Sequence, residues 1–308
     1  MNTIKFQAYN ELITEQYNVE NAKVKDNYYQ PLNLNIFVTY ICQCNCKFCI
    51  DKDKTSNTNY SDELYYNALI GSLELLKEKN LEIEFTLTGG EPTINPERFI
   101  KTLKILKRFN IKERTISTNG LNLLTKYEGK PLIQYLVDYG YTHNVSISRM
   151  SIEQEAHDKI MEGQTISNKK LKQITEFSKY NDIELRVSMN ILKEGVNCFE
   201  NMIQAVDVFG NIGIKTVLFR ELQGIKDSLK LDSICFNISS MKDIFVYQKT
   251  LKGIFYFVDV YLYEVNGKKY IVKCYHDRPH DDNLVSSLSY SNGILREGFN
   301  GKIIKIFY

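Results

Sequence analysis

Residues Asn33–Ile50, "NLNIFVTYICQCNCKFCI", join a β-prone run to a loop that holds four of the chain's seven cysteines. The run Asn33–Tyr40 reads as a strand. What the cysteines after it bind decides what the fold is built around: a disulfide knot, a zinc knuckle or an iron–sulfur cluster. At 308 residues the chain is long enough to bury a full core without cross-links. The opening "MNTIKFQAYNELITEQ" has no apolar run of signal-peptide length, and no later segment has the length of a membrane span. A cytoplasmic protein is expected, and in a reducing compartment clustered thiols point to a metal site or to catalysis. With 39 basic and 37 acidic residues the chain is close to neutral, so composition gives no footprint for long nucleic acids.

Outward from this loop, strands and helices alternate from about residue 33 to residue 223, the pattern of stacked βαβ units around a parallel sheet. Asp62–Lys79 carries Leu64, Ala68, Leu69, Leu73 and Leu76 at helical spacing behind a Ser61 cap. "LEIEFTL" (Leu81–Leu87) alternates as a second strand and ends in "TGGEP". A helix from about Pro96 to Phe109 leads to "ERTIS", which ends at "TNG". A helix near Pro131–Tyr139, the strand "HNVSISRM" (His143–Met150) and a helical region to Tyr180 follow. "IELRVSMNIL" (Ile183–Leu192), a helix from Cys198 to Phe209 and "KTVLFREL" (Lys215–Leu222) complete six units. We expect an extension over residues 1–30, an α/β core over 31–224 and a small β-rich cap over 225–308. In the cap, Asn266-Gly267 predicts a hairpin with a type I′ turn, and Asn300-Gly301 sits between shorter β-prone pieces.

Two strands carry polar residues where a packed interior would be apolar. Val145 and Ile147 oppose Ser146 and Ser148, while Leu185, Val187 and Met189 oppose Arg186, Ser188 and Asn190. Buried parallel strands are usually apolar on both faces. The polar stripe therefore suggests an interior filled by ligand, the bland alternative being an edge strand facing water.

Cys42, Cys46 and Cys49 form C-x3-C-x2-C, with Cys44 between the first two. A zinc knuckle needs a second ligand pair, and Cys198, Cys235 and Cys274 are isolated from one another; "CYHDRPH" (Cys274–His280) reads as a charged surface loop. Three close thiolates suit a cubane [4Fe–4S] cluster, since each takes one iron and leaves the fourth open. With Phe48 directly before the last cysteine, the loop resembles that of the radical S-adenosylmethionine (radical SAM) enzymes. "TGGEP" (Thr88–Pro92) matches the family's glycine-rich motif, and "STNG" (Ser117–Gly120), "VSIS" and "RVSMN" fall where the family contacts SAM. The resemblance covers about residues 31–224.

The resemblance implies a partial (β/α)6 barrel with a small β-rich C-terminal region. It also implies a [4Fe–4S] cluster on Cys42, Cys46 and Cys49, and SAM against Phe48, Gly89, Gly90, Glu91, Pro92, Ser117, Asn119, Ser146, Ser148, Arg186, Ser188 and Asn190. Reductive cleavage of SAM then yields a 5′-deoxyadenosyl radical that abstracts hydrogen from substrate, with an electron donor such as flavodoxin or ferredoxin. Motif order is most similar to the branch of the molybdenum-cofactor GTP cyclase, with Glu221 on the sixth strand, but the C-terminal cysteine triplet of that branch is missing. "SISRM" departs from an aspartate common in relatives, making Arg149 and Met150 candidate substrate contacts, though Arg149 reads more simply as a surface arginine. Cys44 reads as a spare thiol. A small-molecule or nucleotide substrate is expected, because no module of peptide-binding size precedes the first strand. Peptide modification is the alternative, and an iron–sulfur electron-transfer or sensor protein, with Cys44 as fourth ligand, is the non-enzymatic one.

Overall fold

Alternation of apolar residues with helix signals has a direct outcome in the backbone. The computed structural model describes residues 32–49, 60–81, 83–222, 244–252, 256–277, 287–299 and 301–307. The predicted N-terminal extension, Cys235, Asn300 and the end of the Cys274–His280 stretch lie outside the described residues. In chain order the elements are β1 (Leu32–Phe37), α1 (Asp62–Glu78), β2 (Ile83–Thr88), α2 (Pro96–Arg108), β3 (Lys112–Thr118), β4 (Lys126–Tyr127), β5 (Lys130–Pro131), α3 (Leu132–Tyr139) and β6 (Val145–Ser148). They continue with α4 (Gln154–Met161), α5 (Asn168–Tyr180), β7 (Leu185–Asn190), α6 (Phe199–Asn211), β8 (Thr216–Arg220), β9 (Phe245–Lys252), β10 (Tyr256–Val265), β11 (Lys268–Asp277), β12 (Ser287–Ser291), β13 (Ile294–Glu297) and β14 (Ile303–Ile306). Strands β1, β2, β3, β6, β7 and β8 lie side by side in that order, all parallel.

Local chemistry sets the helix ends. Ser61 Oγ accepts the Leu64 amide at 3.2 Å to start α1, and Asn95 Oδ1 accepts the Arg98 amide at 3.0 Å with Pro96 in the first turn of α2. Helix α3 stops at Gly140, whose φ of 74° a side chain would resist. One sheet face presents Leu34, Ile36, Phe85, Leu87, Ile116, Val145, Ile147, Val187, Met189, Val217 and Phe219 to the helices, and all are buried in one core with Leu69, Leu103, Leu136, Leu171, Val206 and Phe209. The opposite face carries the polar residues in registered rows. Ser117, Ser146, Arg186 and Thr216 form one row; Ser148, Ser188 and Leu218 form the next; Asn190 and Arg220 form the last.

The β-rich C-terminal region is present, and it lies in the plane of the main sheet on both of its edges. Strand β11 adds in parallel beside β8, with β10 and β9 antiparallel beyond it. Strand β12 adds in parallel beside β1, followed by β13 and β14. Asn266 (φ 51°) and Gly267 (φ 70°) make the β10–β11 turn, both in the left-handed region that the predicted type I′ hairpin requires. A second such pair, Asn292 and Gly293 between β12 and β13 (φ 41° and 79°), escaped the sequence reading. "CYHDRPH" begins not as a surface loop but as the end of β11: Cys274 is buried, because Tyr270, Val272 and Cys274 continue one apolar face of that strand.

Glu113 enters β3 where the β2–β3 ladder shifts register, and both its carboxylate oxygens are buried without a hydrogen-bond partner of normal geometry. Burial pushes its carboxyl up to about 8 from an ordinary 4.5; Glu184 adds to the rise, while the His143 amide and Arg186 oppose it. The folded chain therefore keeps a proton that the unfolded chain releases, and Glu113 costs stability increasingly as pH rises from 4.5 to about 8. We expect Glu113→Gln to raise Tm by roughly 3 °C or more at pH 9 and by much less at pH 5.5. Equal shifts in thermal melts at the two pH values would contradict this.

Candidate functional site

The cysteine loop has almost no secondary structure of its own, and backbone hydrogen bonds from neighbouring strand ends hold it. Gly90 N donates to Thr39 O at 2.7 Å and Glu91 N to Ile41 O at 2.8 Å. A Cβ on Gly89 would lie 2.4 Å from Thr39 O, and one on Gly90 would lie 2.2 Å from Ile41 O, so neither glycine can carry a side chain without moving the loop. The close neighbour of both glycines is the cysteine loop's own backbone.

Glu91 links this clamp to the next strand end. Its Oε1 accepts from Thr93 N at 3.1 Å, Thr93 Oγ1 at 2.5 Å and Thr118 Oγ1 at 2.7 Å, and its Oε2 accepts from Asn119 N at 2.6 Å. The residue is 1 % exposed. Burial raises its carboxyl above the usual range, and these donors pull it back. Pro92 opens the short 3-10 turn that follows. Asn119 reaches back to the loop, its Nδ2 donating to Gln43 Oε1 at 3.2 Å.

A segment between α4 and α5 grips the loop from its other side. Cys44 makes an isolated antiparallel bridge with Gly163, Asn45 N donates to Glu162 O at 2.8 Å, and Gln164 N donates to Gln43 O at 3.2 Å. Gly163 has no room for a Cβ, which would lie 2.2 Å from Gln43 O. Cys44 Sγ donates to Gln164 O at 3.2 Å. Cys46 is buried with Met150, Ile160, Met161 and Leu192, and Phe48 packs against this apolar floor. Phe48, Ile160 and Leu192 also line a small pocket of about 100 Å³ whose rim carries Lys47, Lys159, Lys193 and Glu194.

The structure thus brings together Cys42, Cys46, Cys49, Phe48, Gly89, Gly90, Glu91, Pro92 and Asn119 at the carboxyl end of the sheet. Ser148, Ser188 and Asn190 lie half-buried on the polar face below, while Ser117 and Ser146 lie a row deeper. Arg186 shares that deep row, 3 % exposed, its guanidinium donating to Asn144 Oδ1 at 2.8 Å and Thr115 Oγ1 at 2.7 Å. Arg149 is not a surface arginine but fully buried. It donates to the carbonyls of Ser151 and Ile166 and to the side-chain oxygens of Gln154 and Asn168, so polar partners replace water around it. Burial lowers it to about 10. Beside it His157, held down to about 3 by burial and by Arg149, is neutral and accepts the Met150 amide at Nδ1. Met150 turns into the floor beneath Cys46.

Among the described residues no three Cys, His, Asp or Glu side chains converge as the ligands of one ion do. A cubane asks for a different arrangement, because each thiolate meets its own iron at a separate corner. Cys42, Cys46 and Cys49 share one short loop at the mouth, Cys42 and Cys49 exposed and Cys46 buried with its Sγ 3.4 Å from Met161 O, and three thiols of one loop are the donor type that a cubane takes.

The sequence pattern of the Radical SAM superfamily matches residues 36–219, and the chain belongs to that superfamily, whose enzymes use a [4Fe–4S] cluster and S-adenosylmethionine. No curated protein matches it significantly. Among solved structures, Streptococcus suis SuiB bound to precursor peptide SuiA is 16% identical with a TM-score of 0.53, covering 72% of this chain and 46% of that one. SuiB bound to S-adenosylmethionine is 18% identical with a TM-score of 0.50, covering 68% and 46%. Coproporphyrinogen III oxidase (HemN) from Escherichia coli is 12% identical with a TM-score of 0.49, covering 71% and 54%. The chain spans about half the length of these proteins, and the SuiB likeness is one of fold: α/β with a partial barrel. No helix among the described residues is long and apolar enough to cross a membrane.

The clamp makes a specific demand on Gly90. Gly90→Ala should leave the sheet folded, with unchanged far-UV circular dichroism, yet lower iron per chain after anaerobic reconstitution at least severalfold, because the new methyl displaces Ile41 and the loop with it. Full iron content in this variant would show that the loop does not depend on the contact.

Proposed function

We propose that this chain is a radical SAM enzyme in which Cys42, Cys46 and Cys49 hold a single [4Fe–4S] cluster and SAM lies between that loop and the polar sheet face. The observation that carries this reading is the backbone clamp, in which Gly89, Gly90 and Glu91 fix the cysteine loop over the carboxyl ends of six parallel strands. Ligands of parallel α/β sheets bind at those ends. When bound, the cluster supplies an electron that splits the SAM sulfonium, and hydrogen-atom abstraction from the substrate follows. The chain's own residues position and shield. Phe48, Ile160 and Leu192 offer an apolar slot for the adenine, while Ser148, Ser188 and Asn190 offer hydroxyl and amide partners to the ribose and amino-acid portions. The side chain of Ile41, 57 % exposed, and the exposed Cys42 and Cys49 leave the loop open to an electron donor of the flavodoxin or ferredoxin kind.

A small molecule or nucleotide is the favoured substrate, since the interior face it would meet is polar and lies below the mouth. A peptide is the second reading; what favours it is the likeness in fold to SuiB, a protein solved with a precursor peptide. An electron-transfer or sensor role would need Cys44 as a fourth thiolate; that thiol donates to the Gln164 carbonyl and also lies beside the thiols of Cys42 and Cys46.

Reconstituted protein with reductant and SAM should form 5′-deoxyadenosine. Cys42→Ala, Cys46→Ala and Cys49→Ala should each abolish it, and Cys44→Ala should retain both a full cluster and at least half the activity. Cluster loss on changing Cys44 alone would support the four-thiolate protein instead. Deuterium reaching 5′-deoxyadenosine from a labelled peptide, and from no small molecule, would overturn the substrate preference.

A further inference from the structure

The polar face holds more positive charge than its immediate partners account for. Strand β11 extends two of the registered rows: Lys273 stands beside Leu218 and Ser188, and Tyr275 stands beside Arg220 and Asn190. Arg186 lies one row below Lys273, and Arg220 one row above it. All three cations project from the face opposite the helix-packed core, where Val187, Met189, Val217, Phe219 and Val272 are buried. The Arg220 guanidinium lies over the Tyr275 ring, 4.4 Å from its centroid.

Among the described residues no Asp or Glu forms an ion pair with Arg186, Arg220 or Lys273. Glu184, exposed just before β7, lies 3.7 Å from His143 and acts on Arg186 and Lys273 through space, in an ion pair with neither. Arg186 spends both terminal nitrogens on neutral oxygens, and its Nε is buried with no partner. The local field shows in two neighbours. Burial and then Arg186 hold the Lys273 amine below its usual range. Burial by itself would push the Tyr275 phenol up, yet Arg220, Arg186, Arg114 and Lys273 hold it below its ordinary value. Three cations on one sheet face with no paired carboxylate, Arg186 among them 3 % exposed, are costly unless an anion lies against them for part of the cycle.

We propose that the face formed by β7, β8 and β11 binds an anionic group of the substrate, a carboxylate or a phosphate, with Arg220 and Lys273 as direct contacts and Arg186 behind them. This rests on the radical SAM reading for the identity of the molecule that carries the anion, but not for the binding itself. It also assigns a task to β11, which lies beyond residues 36–219 matched by the superfamily pattern.

The test is calorimetric titration of the full chain with inorganic pyrophosphate, with succinate and with neutral succinamide, each with and without saturating SAM and without reductant. One of the two anions should bind at least tenfold more tightly than succinamide, both with and without SAM. Pyrophosphate as the winner identifies a phosphorylated substrate, and succinate a carboxylate. Lys273→Gln and Arg220→Gln should each weaken that anion about tenfold, the order expected for a charge-assisted hydrogen bond, while Lys273→Arg retains most of the affinity and controls for folding. Neither anion exceeding succinamide, unchanged affinity in Lys273→Gln, or displacement of the anion by SAM would overturn the proposal. Anion binding without SAM cleavage would sink the enzymatic reading and leave this site standing; SAM cleavage without anion binding would do the reverse.

Discussion

The arrangement depends on one buried carboxylate. Glu91 terminates the turn after β2, and its own amide holds Ile41 of the cysteine loop while its oxygens hold Thr118 at the end of β3 and Asn119 just past it. Three consecutive strand ends therefore meet at one residue. Burying a carboxylate is expensive in isolation, and four donors, two of them backbone amides, offset that cost here. The bonds are short and mutually dependent, so the cysteine loop takes its position from the spacing of β1, β2 and β3 rather than from any preference of its own sequence.

A loop held at one side could still swing; this one is held at two. The segment after α4 supplies the second grip through Gly163, and that segment is itself fixed by Arg149, whose guanidinium ties the end of β6 to Ile166 and Asn168. The buried arginine and the buried glutamate thus act in corresponding ways, one on each flank, each replacing water with a full set of polar partners. Between them Cys46 rests on an apolar floor, and Cys42 and Cys49 remain accessible.

The periodicities that place the six parallel strands, their helices and the Asn266-Gly267 hairpin were legible in the sequence, because each element's burial pattern is local. Legible too was the cysteine loop with its glycine-rich companion. What the glycines touch was not, since the contact with Thr39 and Ile41 joins residues some fifty positions apart (Gly90 with Ile41). Arg149 read as exposed because an arginine's burial is decided by remote acceptors such as Ile166 O, which no local pattern announces. The charge of the Cys274 stretch suggests a loop, but Tyr270 and Val272 alternate into it, and period is the better guide to a strand than composition.

The placement of the C-terminal strands connects stability with the interior. Without β11 and β12, strands β8 and β1 would be open edges of a parallel sheet, a liability that proteins manage by covering them. Strand β12 covers β1 and is pinned there, Asn35 Nδ2 donating to Leu288 O at 3.1 Å and the Tyr290 hydroxyl to Tyr65 O at 2.5 Å. Strand β11 covers β8, and being parallel to it, must continue its facing rows in register. Once one face of β11 is committed to the core through Val272 and Cys274, the alternate residues Lys273 and Tyr275 have nowhere to point but the interior. The same hydrogen-bonded ladder that closes the sheet's edge therefore carries charge onto the polar face, so the edge strand cannot be changed for stability without changing the charge of that face.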